Sequence, residues 1–368
     1  MRSRWPFSLS VYGEGARGRG QRGARGRLIL GLALGALILI TLSSAARITY
    51  SQGATPVPTP TPVGPRDGEL DSLILIFHTP RSAYYALTYW SDGLRVAGFL
   101  GRPLTSTGPH PAIIANRGGF GEVGIQTGIE IVPYVEAGYV AVASQYRGNG
   151  GGEGREDFGG NDVHDVTNLI PLLQSLPYVD PNRIGMIGGS RGGMMTYLAL
   201  KNETLSGQQR IQAAVTVGGI SDLFQWDRDY GALYQFDSVL WRPLVGATPE
   251  ENPALFQARS AVYWPDLINA PLLLLHGEAD NSVSPQQSVT LATLLTQQGK
   301  TARLSLYPGG DHPLSNYDGG LREILDWFGQ YLGGDGMDRS YESHEAEIRA
   351  AVAQFAARRL WTNESKVA

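Results

Sequence analysis

The sequence contains no cysteine among its 368 residues, which excludes disulfide bonds and any lipid attached through a cysteine. It also lacks a His-Glu-x-x-His motif or a cluster of histidines, so we predict no metal centre. The glycine-rich segment 146–154 has neither Gly-x-Gly-x-x-Gly spacing nor a Gly-Lys-Ser/Thr ending, so we predict no nucleotide and no other cofactor. A net charge of -4 with interspersed signs argues against nucleic acid as a partner.

Positive charge is concentrated at the N-terminus, where residues 1–27 carry seven arginines and residues 28–46 carry no charged side chain. A helix over residues 28–46 would be about 28 Å long, enough to cross the apolar core of a bilayer. This pattern predicts a basic cytoplasmic N-terminus, a transmembrane anchor over residues 28–46, and export of everything after Arg47. The alternative is a signal peptide cleaved near Ser-Ala-Ala at residues 44–46, which would make the protein secreted.

Proline and threonine dominate the segment that follows. Residues 47–66 include the run from Pro56 to Pro65, whose prolines favour an extended, semi-rigid chain, so we interpret the segment as a stalk. Residues 67–332 then form the predicted catalytic domain, and a hydrophobic content of 42% is sufficient for its core. Residues 333–368 form a C-terminal tail with helical spacing and mixed charge.

Short apolar segments alternate with helical patterns through most of the predicted domain. We predict strands at residues 112–115, 139–144, 183–188, 213–217, 271–276 and 303–307. Such alternation is typical of a mainly parallel, doubly wound sheet that binds ligands at the carboxyl ends of its strands. Residues 84–90 and 94–102 predict an antiparallel hairpin at the N-terminal side. An aromatic-rich helical insertion between residues 217 and 271 is interpreted as a cap over the pocket, and Pro171 should bend or restart the helix expected over residues 162–176.

Ser190 lies in the sequence Gly-Gly-Ser-Arg-Gly-Gly, directly after an apolar strand pattern and before a helical one. In a Gly-x-Ser-x-Gly turn the serine sits on a sharp strand-to-helix bend, where Gly188 and Gly192 leave space for the backbone. We therefore predict that Ser190 is a nucleophile. An ordinary glycine-rich turn is the alternative for the pentapeptide alone.

A serine nucleophile requires a base and a group that orients the base. The strand ending at His276 is followed by Gly-Glu-Ala-Asp, so Asp280 is the predicted acid, with Glu278 as a competitor that spacing does not exclude. The next strand ends in a Gly/Pro loop that contains His312, the predicted base. His276 closes a buried strand and is interpreted as structural.

These residues resemble the prolyl oligopeptidase-like serine peptidase branch of the α/β-hydrolases. The order serine, carboxylate, histidine along the chain is the α/β-hydrolase order, and the likeness extends from about Tyr84 to Leu332. The matching segments are 91–100, 102–103, 146–148, 159–166, 178–185, 188–193, 250–253 and 276–283.

The resemblance implies an α/β-hydrolase fold with Ser190 as nucleophile, Asp280 as acid and His312 as base, and it favours Asp280 over Glu278. An oxyanion hole requires backbone donors, for which we predict Arg191 together with Arg117 or Gly118. Relatives carry a His-Gly-Gly sequence or a tyrosine at the second position, so Arg117 departs from both patterns. A surface arginine on a tight turn is the alternative interpretation of Arg117.

Three functions remain open from the sequence. The first is a serine-type peptidase that cleaves short peptides. Its site should be open, because only a stalk and a hairpin precede the hydrolase core, where full-length prolyl oligopeptidases carry a propeller. The second is a carboxylesterase for sugar, lipid or aromatic acyl esters, favoured by Ser282, since relatives place an arginine there to hold a peptide carbonyl. The third is a noncatalytic surface-binding protein on a hydrolase scaffold.

Overall fold

The computed structural model describes residues 66–104, 108–315 and 320–333. The predicted basic N-terminus, the anchor and nearly all of the stalk lie outside the described residues, and so does the C-terminal tail beyond Gly333. In the described ranges, every helix is too short or too polar to cross a bilayer.

Nine strands form one sheet in the described part of the chain. In chain order they are β1 (Leu70–His78), β2 (Ser82–Ser91), β3 (Leu94–Pro103), β4 (His110–Asn116), β5 (Val140–Ser144), β6 (Val179–Gly189), β7 (Ile211–Val217), β8 (Leu272–Gly277) and β9 (Ala302–Tyr307). The spatial order is β1-β2-β3-β5-β4-β6-β7-β8-β9. The strands from β1 to β3 pair antiparallel, as does β3 with β5, and all pairs from β5 to β9 are parallel. The predicted α/β-hydrolase architecture, with its antiparallel N-terminal hairpin, is therefore confirmed.

Helices cover both faces of this sheet. The α-helices are α1 (Val132–Glu136), α2 (His164–Thr167), α3 (Leu169–Ser175), α4 (Arg191–Leu205), α5 (Leu223–Trp226), α6 (Ala232–Tyr234), α7 (Pro253–Arg259), α8 (Gln286–Gln297) and α9 (Gly320–Leu332). Residues of α1 and α9 belong to one apolar core, whereas residues of α2, α3, α4 and α8 belong to the other. Successive strand residues alternate between the two cores: Leu272 and Leu274 of β8 face the second core, and Leu273 and Leu275 face the first.

The expected helix over residues 162–176 is divided by Asn168 into α2 and α3. Pro171 is the third residue of α3, where the backbone N–H of a helix has no partner within the helix. The proline therefore costs no helical hydrogen bond. The structure contains the restart of the helix that Pro171 predicted.

The insertion between β7 and β8 contains α5 to α7, two π-helical segments, Asp227–Gly231 and Asp237–Val245, and two short 3-10 helices, Ala261–Tyr263 and Pro265–Leu267. Its aromatic residues pack on one another: the rings of Trp226 and Phe236 lie 4.2 Å apart and those of Trp241 and Phe256 lie 5.0 Å apart. The rings thus form a local core. Among the described residues, none from the insertion lines the cavity at Ser190, although Trp226 Nε1 donates to the Ser282 carbonyl at 2.9 Å, beside Asp280; the role of the insertion as a cap stays a prediction.

Candidate active site

Ser190 lies between the end of β6 and the start of α4. Its φ of 56° and ψ of -124° place a non-glycine residue in a region that costs on the order of 1–3 kcal/mol. Its N–H donates to the Val217 carbonyl at 2.9 Å, and its carbonyl accepts from Gly193 N at 2.9 Å, so the strained turn is held from both sides. A Cβ at position 192 would lie 2.1 Å from the Asn116 carbonyl oxygen, which explains the requirement for glycine at that position.

Asp280 follows β8, and His312 follows β9. The two side chains meet, since His312 Nδ1 lies 2.6 Å from Asp280 Oδ2. The other carboxylate oxygen, Oδ1, accepts from the backbone N–H groups of Ser282 at 2.8 Å and Val283 at 2.9 Å. Burial alone would raise the pKa of Asp280, but hydrogen bonds from His276 and His312 outweigh it and hold the pKa well below its usual range.

His276 is a second histidine on the same carboxylate. Its Nε2 lies 3.1 Å from Asp280 Oδ2 and 2.9 Å from the Val283 carbonyl oxygen, and its Nδ1 lies 2.7 Å from the Ser288 hydroxyl. Both neighbours of Nε2 are acceptors, so Nε2 carries the proton and donates to Asp280. We refer to Asp280, His276 and His312 as the acid–histidine cluster.

Glu278, the competing acid of the sequence analysis, is exposed. The carboxylate that reaches His312 is that of Asp280. A direct hydrogen bond therefore joins two of the three residues predicted for the triad.

Ser190 and His312 line the same cavity, which has a volume of about 130 Å³. Because Nδ1 of His312 is bound to Asp280, its Nε2 is the ring nitrogen left to serve the Ser190 hydroxyl. The cavity walls also include the predicted oxyanion residues Arg117 and Gly118. The arrangement places a hydroxyl group and an imidazole held in one orientation at the same cavity, as the predicted nucleophile and base require.

The predicted oxyanion donors lie beside the nucleophile. A Cβ at Gly118 would be 3.3 Å from Ser190 Cβ, so the backbone at residue 118 packs directly on the serine. Arg191 is the first residue of α4, and the N–H of a first helical residue has no partner in its own helix. Both backbone groups therefore lie where a developing oxyanion could be reached, and their role as donors stays a prediction.

The side chain of Arg117 is not on the surface, as the alternative interpretation had it, because the residue is 2% exposed. Its Nε donates to the Gln145 carbonyl at 3.0 Å and its Nη1 to the Val123 carbonyl at 3.1 Å. The guanidinium thus holds the loop that follows β4.

Two arginines and two acids form a second buried group, which we refer to as the arginine–acid cluster: Arg117, Arg191, Glu156 and Asp162. Arg191 bonds to Glu156, and its Nη2 lies 2.6 Å from Asp162 Oδ2. Arg117 Nη2 lies 3.5 Å from Glu156 Oε2. The cluster connects α4 to the loop after β4, since Arg191 also donates to the Gly119 carbonyl at 2.9 Å and Glu156 accepts from Gly121 N.

Sequence reasoning missed this cluster. The available signal was an arginine immediately after the serine, together with acidic residues in a glycine-rich segment 29 to 35 positions earlier in the chain. An arginine next to a buried turn requires a buried anion as partner.

Residues 126–335 match the family model of the prolyl oligopeptidase family. The uncharacterized peptidase YtmA of Bacillus subtilis is 34% identical over 245 residues, covering 66% of this chain and 92% of YtmA. The uncharacterized peptidase YuxL of the same organism is 30% identical over 272 residues, covering 69% of this chain and 39% of YuxL.

Among solved structures, an acylaminoacyl peptidase in complex with Z-Gly-Gly-Phe-chloromethyl ketone has a TM-score of 0.59 and 24% identity, covering 70% of this chain and 43% of that one. This likeness shows the shared fold. The chain thus spans nearly all of YtmA but less than half of YuxL and of the acylaminoacyl peptidase.

Proposed function

The chain belongs to the prolyl oligopeptidase family of serine peptidases, and from that premise we propose that it cleaves short peptides through an acyl-enzyme on Ser190. The observation that carries the proposal is the 2.6 Å contact between His312 Nδ1 and Asp280 Oδ2, at a cavity that Ser190 and His312 share. The noncatalytic alternative has no comparable support, because a binding scaffold needs no oriented histidine at a strained serine.

In the proposed reaction the Ser190 hydroxyl attacks the peptide carbonyl carbon while His312 Nε2 accepts its proton. Asp280 fixes the imidazole tautomer and stabilises the imidazolium that forms. Backbone N–H groups of Arg191 and of residue 117 or 118 bind the oxyanion. His312 then protonates the leaving amine, and water, activated by the same imidazole, hydrolyses the acyl-enzyme.

A fluorophosphonate probe tests the nucleophile. We expect labelling of the wild type, its loss in Ser190→Ala, and a strong decrease in His312→Ala. Matched controls are Ser206→Ala at the opposite end of α4 and His78→Ala on β1, both exposed positions where labelling should persist. Labelling that survives Ser190→Ala would refute the assignment.

Hydrolysis of matched amides and esters tests the peptidase activity. Turnover of short peptide amides by the untreated wild-type enzyme supports the proposal. Cleavage of simple esters together with failure on a peptide library would favour the carboxylesterase instead.

For the location of the enzyme, we propose that its catalytic domain lies outside the cytoplasm. The support is the sequence alone: seven arginines in residues 1–27, an uncharged segment over 28–46, and a proline-rich stalk. Protease treatment of intact cells should degrade the domain if it is anchored outside, and culture medium should contain it if the segment is cleaved. A domain that remains protected in intact cells, and is released only by lysis, would contradict the proposal.

A further inference from the structure

His276 is a buried histidine that the proposed reaction does not use. It lies near the end of β8 and is 0% exposed. Both ring nitrogens have partners, since Nδ1 lies 2.7 Å from the Ser288 hydroxyl of α8 and Nε2 lies 3.1 Å from Asp280 Oδ2. An apolar side chain would fill this space without needing such partners, so packing alone does not account for a histidine here.

The neighbours of His276 fix the direction of its hydrogen bonds. Nε2 lies between two acceptors, Asp280 Oδ2 and the Val283 carbonyl oxygen at 2.9 Å, so its proton is shared between them. Within the described part of the chain, the Ser288 hydroxyl has no acceptor other than Nδ1, so the hydroxyl donates to that nitrogen. The ring therefore accepts from α8 and donates to the loop that carries Asp280.

The oxygen that His276 reaches is the one that receives His312. Asp280 Oδ1 accepts from the backbone N–H groups of Ser282 at 2.8 Å and Val283 at 2.9 Å, and these bonds hold that oxygen. Oδ2 accepts from His312 Nδ1 at 2.6 Å. Among the described residues, the other side chain that binds Oδ2 is His276. The two histidines thus share one carboxylate oxygen.

We propose that His276 is a positioning residue, whose Nε2–H holds Asp280 Oδ2 in place for His312 and weakens the attraction between this carboxylate and the imidazolium formed during catalysis. The positive end of the N–H points at the oxygen that faces His312, so it opposes the uptake of a proton by His312. His276 acts through Asp280, since it is not among the residues that line the cavity at Ser190. The inference rests on the proposed function, because it concerns the base of that same site.

Other charged and titratable side chains near the acid–histidine cluster must stay constant in a test. They are Tyr230 of the insertion, Arg117 and Glu130 in the cavity wall, Asp311 next to His312, and the exposed Glu278. Burial, and after it the charge of Asp280, raises the pKa of Tyr230, so this ring is close enough to respond to the cluster. A substitution at position 276 retains all five side chains.

Two substitutions of His276 separate its two nitrogens. In His276→Gln the amide nitrogen can take the place of Nε2 and donate to Asp280, whereas the shorter amide of His276→Asn reaches only the position of Nδ1. We expect His276→Asn to lower kcat on a peptide amide about 10- to 100-fold, with KM nearly unchanged, because a hydrogen bond to a charged group is lost. The acidic limb of its kcat/KM profile should move to higher pH by about 0.5–1 unit. His276→Gln should stay within about threefold of wild type, with its acidic limb unmoved.

NMR of protein labelled with ¹⁵N-histidine tests the inference without turnover. We expect the Nε2–H tautomer for His276 in the wild type, and a titration midpoint of His312 that rises in His276→Asn but not in His276→Gln. An Nδ1–H tautomer of His276 would overturn the inference. Wild-type rates and midpoint in His276→Asn would also overturn it, as would equal losses in both variants, which would indicate packing alone.

A third variant covers the case in which His276→Asn fails to fold. Ser288→Ala removes the hydroxyl that polarises the ring, so Nε2–H becomes a weaker donor and the His312 midpoint should rise by a smaller amount. An unchanged midpoint in Ser288→Ala would contradict the inference. Absence of fluorophosphonate labelling in the wild type would instead sink the proposed function, while the tautomer and the midpoints still decide the role of His276.

Discussion

Asp280 of the acid–histidine cluster and Asp162 of the arginine–acid cluster are both buried, at 7% and 0% exposure, yet their pKa values shift in opposite directions. Burial raises the pKa of Asp162 to about 6, and the neighbouring Asp157 adds to this, although Arg191 opposes it. Burial also acts on Asp280, but the donors His276 and His312 lower its pKa far below the usual value.

The partners of the two carboxylates explain what each cluster can do. Asp280 is bound by two histidines, and one of them, His312, lines the cavity together with Ser190. Asp162 is bound by an arginine, which remains charged at every working pH. The first cluster is suited to move a proton, and the second to hold the loop after β4 against α4.

The largest expected effect comes from removing the charge of Asp280. Asp280→Asn should lower kcat on the order of 10⁴-fold, since a neutral amide does not stabilise the imidazolium or the required tautomer of His312. Steady-state kinetics on a peptide amide measures this, with the exposed Glu278→Gln as control, for which we expect wild-type rates. A comparable loss in the control would make Glu278 the acid.

The arginine–acid cluster should respond in stability before activity. Arg191→Met strands Glu156 and Asp162 without their main cation, which should lower the free energy of unfolding by about 3–5 kcal/mol. Urea denaturation measures the change, and Arg228→Met at an exposed position should stay within about 0.5 kcal/mol of wild type. An Arg191→Met protein as stable as the wild type would contradict the structural role of the cluster.

The smallest effect is a pH dependence that isolates Asp162. Its pKa of about 6 in the folded protein lies above the ordinary 3.8, so between pH 7 and pH 5 the folded chain takes up a proton that the unfolded chain does not. The wild type should therefore gain about 1 kcal/mol of stability relative to Asp162→Asn over that interval as the pH falls. Urea midpoints of both proteins at pH 5 and pH 7 test this. Parallel changes in the two proteins would show that Asp162 does not titrate there.

Apolar periodicity predicted most of the sheet, because its strands are either buried on both faces or paired in a hairpin. The strand β1 was missed. It is the edge strand of the sheet, Ile74 and Leu75 are 62% and 52% exposed, and its place depends on pairing with β2 rather than on burial. The continuous apolar run over residues 73–77 was a signal for this strand that the sequence analysis did not use.

The same reasoning separates the predictable part of the site from the rest. Ser190, Asp280 and His312 each follow a strand of the parallel sheet, and carboxyl ends of parallel strands share one edge, so the order of elements indicates their proximity. The pair of Arg191 and Glu156 joins residues 35 positions apart through a loop with no periodicity.

Tyr146 and Phe158 adopt φ values of 61° and 55°, a conformation that glycine tolerates and bulky residues rarely adopt. Their rings lie 4.9 Å and 4.7 Å from the guanidinium carbon of Arg191, and both belong to the connection that follows β5. Replacing a strained residue with glycine is a common way to make an enzyme more heat-resistant. At these two positions it would remove the rings between which the buried Arg191 guanidinium is stacked. Engineering for thermal tolerance should leave both positions alone and begin elsewhere in the molecule.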